Sequence, residues 1–318
     1  MAQKGAVVGI DVSKGKVDVA IRSAAATASF ADNGEGRREL LKWLAQHGVH
    51  KAVMEATGGY EQSWRRLLAT AGLEVAIVDP KRVRHFARSA GRLAKNDPID
   101  AQMIAWFGEV FDDLAGKLDD EERRQLEQLV TARQALVRLQ GQIESWGEHE
   151  QPKLVQKAHQ ALLKTLAVQL DKLDAAIEVQ IDKSPQFTRQ AKIIRSVPGL
   201  GDVSVSAIIA FLPELGHVDR QAAAALLGAA PFDDDSGERR GQRHIKGGRR
   251  KLRNLLYMPV MGAATRNNPV LKACYQRLLA KGKAAKVALI ACMRKLIGIL
   301  NAMLRRGETW DPGKHAIA

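Results

Sequence analysis

A chain of 318 residues, 46% of them hydrophobic, is long enough for two domains or three, each with its own core. Its 49 Lys and Arg against 35 Asp and Glu leave a formal charge of +14, which points to a polyanionic partner and, inside a cell, to nucleic acid. Two cysteines, Cys274 and Cys292, are too few for a disulfide framework or a cysteine zinc site, and the nearly apolar run at 222–232 is far too short to cross a bilayer.

The opening MAQKGAVVGID lacks the apolar core of a secretory signal, and no basic amphipathic helix with an aromatic face suggests a membrane surface. A soluble, cytoplasmic protein is expected. The first hundred residues alternate strand and helix signals. AVVGIDV (6–12) is a short apolar run ending on an acid, and KVDVAIRS (16–23) alternates as its hairpin partner across Ser13-Lys14-Gly15. TASFADN (27–33) is a third strand, a helix fits 36–47, and KAVMEAT (51–57) and EVAIVDP (74–80) read as buried strands around a helix at 61–71. The order βββαβαβα predicts an α/β domain over 1–117, with three antiparallel strands followed by parallel ones.

From about 121 the pattern is helical only. Leu129, Ala132, Leu136, Leu139, Ile143 and Trp146 recur at spacings of three and four, as do Leu163, Leu166, Leu170, Leu173 and Ile177. GEHEQP breaks the two runs, so 118–184 is expected to be a coiled-coil helical hairpin that pairs between subunits. A mostly α-helical region follows over 185–318. Within it Pro198-Gly199-Leu200-Gly201 separates two helical segments. Gly199 and Gly201 would let backbone N–H groups approach a phosphate, in the manner of a helix-hairpin-helix element, or they form a plain interhelical turn.

Four acids sit where chemistry would want them. Asp11 ends the first strand, Glu55 ends the fourth, and Asp97 and Asp100 in KNDPIDAQMIA share one helix face, with Asp97 as the expected N-cap before Pro98. Each has a structural explanation as a cap, a turn residue or a solvated acid. In this strand order they fit the carboxylate cluster of an RNase H-like (RuvC-like) fold, in which two Mg²⁺ or Mn²⁺ ions about 4 Å apart clamp a phosphodiester. A second constellation lies at 231–253. Ser236 follows Asp233, Asp234 and Asp235 and precedes Arg239, Arg240, Arg243, Lys246, Arg249, Arg250, Lys251 and Arg253, with no acid between 239 and 253. A Ser-Gly pair is common turn chemistry and a charge run is often a solvated face. Eight cations together also favour a phosphate ligand, and an aromatic content of 5% favours recognition by shape and backbone over base stacking.

GIDVSKGKVDVA, MEATGGYE and KNDPIDAQMIA resemble the N-terminal DEDD domain of insertion-sequence transposases related to the Piv DNA invertases. SVPGLGDVSVSAIIAFLPELG, with LLGAAPFDDDSGERRGQRHIKGGRRKLRNLLYM, is similar to their C-terminal transposase domain. The resemblance spans nearly the whole chain. It implies Asp11, Glu55, Asp97 and Asp100 as catalytic metal ligands and Ser236 as the nucleophile of a covalent phosphoserine intermediate. It also implies target and donor DNA and a structured bridge RNA as partners, and a dimer that pairs into a tetramer in a bacterial or archaeal cell. Two other readings fit the same residues: a RuvC-like nuclease in which water attacks, and a non-catalytic RNA-binding protein.

Overall fold

β1 (Ala6–Val12), β2 (Lys16–Ile21) and β3 (Ala26–Ala31) form an antiparallel meander. β4 (Val49–Glu55) and β5 (Glu74–Val78) add parallel strands on the other side of β1, giving the order β3-β2-β1-β4-β5. This is the mixed sheet that the alternation predicted, with each strand end within three residues of its expected place. It is compatible with an RNase H-like DEDD domain. The computed structural model of the protein describes residues 5–91, 97–111, 121–233, 241 and 243–315, with the side chains of residues 97–99 and 315 outside that set.

Strand alternation sends opposite side chains to opposite faces. Val8, Ile10 and Val12 of β1 and Val17, Val19 and Ile21 of β2 pack on Leu40 and Leu44 of α1 (Gly34–Gln46) and on Trp64 and Leu68 of α2 (Glu61–Thr70). The other face carries α3 (Pro80–Ser89) and α4 (Asp97–Val110), whose Val83, Met103, Ile104 and Phe107 cover Val53, Ala76 and Val78. Asn33 caps α1 and Asp79 caps α3, each by accepting from backbone N–H groups of the first turn. α4 lies very close to β1. A Cβ at Gly9 would stand 2.1 Å from the Ala101 carbonyl oxygen and 2.3 Å from the Ala105 nitrogen, so only glycine admits the helix at this height.

The chain divides into two compact units, Met1–Asp119 and Asp120–Ala318. The second begins with a helical hairpin of α5 (Glu121–Trp146) and α6 (Lys153–Asp182). Its base shares one core with the following helices: Leu126, Val130, Ile177 and Ile181 pack with residues of α7 (Pro185–Arg195), α8 (Asp202–Phe211) and α9 (Arg220–Leu227). The expected stripe faces inward on α6, where Leu166 and Ile177 are buried and Leu163, Leu170 and Leu173 half-buried. On α5 it does so only in part: Ile143 is buried and Leu129 and Leu136 half-buried, but Ala132, Leu139 and Trp146 are exposed, and Arg123, Leu126, Val130 and Gln134 are buried outside it. A two-helix hairpin covers only one narrow seam of each helix, and a wider apolar stripe leaves residues uncovered.

A short antiparallel ribbon of β6 (Pro231–Phe232) and β7 (His244–Ile245) leads to α10 (Arg250–Gly262), a π-helical turn (Ala263–Asn267), α11 (Pro269–Ala280) and α12 (Ala285–Arg306). The RNNP break is a cap: fully buried Asn268 accepts from the Val270 and Leu271 N–H groups, each at 3.1 Å. α12 is the longest apolar helix among the described residues, twice the length of the 222–232 run. Leu289, Cys292, Met293, Leu296, Ile297 and Leu300 bury it in the core of the second unit, the role of a central helix in a helical domain.

Candidate active site

The strand register brings the acids of the first unit to one end of the sheet. β1 and β4 pair in parallel with Gly9 opposite Val53 and Ile10 opposite Met54, so Asp11 and Glu55 are the next neighbours. Both fall on the face that Gly9 and Val53 present to α4. α4 runs against the direction of these strands: Gly108 lies over Val7 and Val53, and Ala101 and Ala105 lie over Gly9. The N-terminal end of α4 therefore approaches the C-terminal ends of β1 and β4. Asp100, half-buried, is one residue from the Gly9 contact, and Asp97 is the first residue of the helix. The side chain of Asp97 lies outside the described set, as does its expected role as cap.

Two further acids belong to this end of the sheet. Asp18 stands directly opposite Asp11 in the β1–β2 ladder, on the same face, buried to 9% exposure and paired with Lys16 at 2.8 Å. Directly opposed carboxylates destabilise a ladder unless a cation sits between or beside them. A three-residue turn at 13–15 would have paired Val12 with Lys16; the hairpin instead closes with the Ser13 N–H donating to the Lys16 carbonyl at 3.0 Å, which pairs Val12 with Val17 and hence Asp11 with Asp18. Glu61, 4% exposed, accepts from the Thr57 and Gly59 N–H groups, both at 2.9 Å, and so pins the turn that follows Glu55. The Thr57 hydroxyl donates to the Glu55 carbonyl at 3.1 Å.

At the opposite end of α4, Lys51 is buried inside the strand KAVMEAT and donates to the carbonyls of Gly108 (3.4 Å) and Phe111 (3.2 Å). A cation at a helix C-terminus contributes up to about 2 kcal/mol in a partly buried setting. Here it fixes the helix whose other end carries the acids.

The chemistry of Asp11, Glu55, Asp97 and Asp100, all carboxylates, fits a hard divalent cation. Among the described residues, no group of three or more His, Cys, Asp or Glu side chains is close enough to hold a metal ion; the Asp97 carboxylate is not among those described. Thiol chemistry is absent elsewhere too. Cys274 and Cys292 are both buried, and burial, then the neighbouring Cys274, pushes the Cys292 thiol up to about 12.

In the second unit Ser236, Asp234, Asp235, Arg239 and Arg240 lie outside the described residues. Their flanks are described. Phe232 pairs with His244 in the ribbon, and Asp233 forms an ion pair with Arg243 at 2.5 Å, so the two ends of the stretch are held side by side. Much of the basic run has partners within the protein. Arg249 donates to both carboxylate oxygens of Glu214, at 2.7 and 2.6 Å. Burial pushes the Glu214 carboxyl up, but the hydrogen bonds and charge of Arg249 outweigh it and hold the group below the usual carboxylate range. Arg253 donates to the carbonyls of Gly228 (2.8 Å) and Gly247 (3.2 Å). Lys251 donates to the Thr131 hydroxyl and lies 4.3 Å over the Phe211 ring, where burial lowers its pKa. Lys246 and Arg250 are exposed.

The Pro198–Gly201 turn joins α7 to α8. Gly199 has φ 95° and sits where a Cβ would stand 2.7 Å from the Ala263 Cβ, so close packing on the π-helical turn already demands glycine. Gly201 is exposed at the N-cap of α8, with open space where a side chain would stand. Beside it Asp202 pairs with Arg195 at 2.7 Å.

Comparisons with known proteins bear on both units. A transposase family of the DEDD, IS110 type matches residues 8–143, and the family described as transposase IS116/IS110/IS902 matches residues 191–276. The pilin gene-inverting proteins of Moraxella bovis and Moraxella lacunata are each 24% identical over 97% of this chain and 98% of their own length. A protein of insertion element IS116 from Streptomyces clavuligerus is 33% identical over 46% of this chain and 38% of its own.

Proposed function

Because the chain carries the two transposase domains of the IS110/IS116 family, we propose that it is a DNA recombinase that cuts and rejoins strands through a covalent phosphoserine intermediate. The observation that carries this reading is the meeting of Asp11, Glu55 and the N-terminal end of α4 at one end of the sheet, opposite Asp18. Asp11, Glu55, Asp97 and Asp100 would hold Mg²⁺ or Mn²⁺, two ions in the full site. When bound, such ions polarise a phosphodiester and lower the pKa of an attacking hydroxyl.

The protein's own groups do the rest. Ser236 Oγ attacks the scissile phosphorus as its proton leaves, a P–O bond to serine forms, and the P–O bond to the departing DNA oxygen breaks as that oxygen is protonated. The reverse attack by a DNA hydroxyl of the exchanging strand restores the serine. A serine hydroxyl is a weak nucleophile at neutral pH and needs activation, which ions held by the carboxylates would supply. Arg239, Arg240, Arg243, Lys246 and Arg250 hold phosphates, while Arg249, Lys251 and Arg253 shape the platform that carries them. Gly201 offers the open N-terminus of α8 to a strand. A structured bridge RNA supplies the base pairing that the protein, poor in aromatics, does not read.

Strand exchange needs more than one active site. The far part of the hairpin supports self-association: Trp146 is 56% and Leu154 80% exposed, and Val137, Leu139, Leu162 and Val168 are exposed as well. A second copy packing on part of these exposed residues would extend the coiled coil and build a dimer, with a tetramer as two dimers. The protein acts on the DNA of a bacterial or archaeal cytoplasm.

The test is incubation of the purified protein with the RNA flanking its element, target and donor DNA, and Mg²⁺, resolved on a denaturing gel. A protein–DNA species lost in both Ser236→Ala and Asp11→Ala is expected. Free cleaved DNA that persists in Ser236→Ala would replace this reading with hydrolysis by water.

A further inference from the structure

We infer that the second unit holds a pocket for one nucleotide of a nucleic-acid strand, formed by α7, the loop after α8 and the end of α12. The cavity measures about 390 Å³. Its basic side chains are Arg189, His217 and Arg305, with no carboxylate among the lining residues. Arg305 is fixed by donating to the carbonyls of Gly216 (3.4 Å) and Val218. Arg189 lies against Gly307, its Nη2 atom 2.4 Å from where a Cβ would stand. Arg305, fixed by those carbonyls, and Arg189 present two guanidinium groups around a concave surface, and their planar forks suit the oxygens of a phosphate.

The cavity is of the size that takes a small organic ligand, far more than a phosphate alone occupies. Ile193, Leu215 and Leu304 supply an apolar wall for a base or sugar. Gln190 Oε1 is buried in this lining without a hydrogen-bond partner, an acceptor that a base amine or sugar hydroxyl would satisfy. Anion, apolar wall and buried acceptor together describe a nucleotide. Arg189, His217 and Arg305 are all exposed at the mouth, so the pocket opens to the surface and a nucleotide can enter while still attached to its strand. The pocket shares no residue with the carboxylate cluster or the 231–253 segment, and the inference stands whether or not Ser236 is the nucleophile.

The experiment uses the full-length protein in chelator, so that no strand chemistry intervenes. A short oligodeoxythymidylate carrying photoreactive 4-thiothymidine is crosslinked and the adducts are mapped by mass spectrometry. Binding of the same strand, of thymidine monophosphate and of inorganic phosphate is measured by calorimetry. Crosslinks to peptides containing residues 186–193, 215–217 or 304–307 are expected. Arg189→Gln should remove most of them and weaken strand binding roughly tenfold, the loss of one charge-assisted phosphate contact. Gln190→Leu should weaken it less, with an unchanged melting temperature in both variants. Crosslinks confined to other peptides, or undiminished in both variants, overturn the pocket. Thymidine monophosphate or phosphate binding as tightly as the strand overturns the assignment to a strand.

Discussion

The acidic end of the sheet in the first unit and the basic run of the second handle like charge in opposite ways. In the sheet, backbone register forces carboxylates together: Asp11 faces Asp18, and Glu55 is the next neighbour across the parallel pair. In the basic run the fold gives several cations partners of their own: Arg249 pairs with Glu214, Arg253 donates to two carbonyls and Lys251 to the Thr131 hydroxyl. Carboxylates that the backbone register brings to one end of a sheet suit a ligand of opposite charge. A run whose members find partners inside the protein owes part of its charge to structure, and only the remainder is left for a polyanion.

The sharpest way to break this comparison is Asp11→Asn or Glu55→Gln. Metal-dependent strand cleavage should fall by more than the 10–100-fold typical of groups one step removed from a metal. The melting temperature in metal-free buffer should hold or rise, because like-charge repulsion is relieved. A clear drop in that melting temperature would show that Asp11 is held for stability alone.

A smaller effect is expected for Asp18→Asn, which leaves Asp11 in place. The Mg²⁺ concentration at half-maximal cleavage should rise by about 10-fold or more, with the rate at saturation nearly kept. An unchanged metal dependence would make Asp18 only the partner of Lys16.

Arg249→Ala and Arg250→Ala, adjacent in sequence, should then separate structure from binding. Loss of the half-exposed Glu214 pair should lower stability by about 1–2 kcal/mol in a denaturant titration. Arg250→Ala should leave stability within about 0.5 kcal/mol and reduce the slope of log K against log salt for DNA by about one. Equal salt slopes for the two variants would mean that both guanidinium groups, or neither, contact phosphate.

The smallest effect is in acid. Glu214 has a folded pKa below its ordinary value of 4.5, so the pair contributes its full stability above that value and loses it as the pH falls through the lower one. Arg249→Ala should therefore flatten the stability profile below about pH 4.5 and leave the rest of the curve parallel.

Much of the first unit was legible before any coordinates. The strands at 6–12, 16–23, 51–57 and 74–80 announce themselves by apolar runs and alternation, and Asp11 and Glu55 by standing at their ends. The hairpin at 121–182 was legible as two helices and, on α6, in its seam, but only in part on α5. Leu139 and Trp146 carry the right period and still face outward, because period fixes a stripe on a helix and not which neighbour covers it. Lys51 and Glu61 gave no signal. A lysine in a strand and a glutamate at a helix start are unremarked until one reaches the carbonyls that end α4 and the other closes the turn after Glu55.

The amino-acid sequence by itself determined the order of elements, the excess of positive charge and the residue types available for chemistry, since periodicity and composition are properties of neighbouring residues. Tertiary structure decided which acids face one another, which arginines are already paired and where a cavity opens between α7 and α12. Those outcomes depend on side chains far apart in the chain. Asn301 on α12, which accepts from the Gly216 N–H and donates to the Val218 carbonyl, is joined to residues more than eighty positions away, a distance no local pattern encodes.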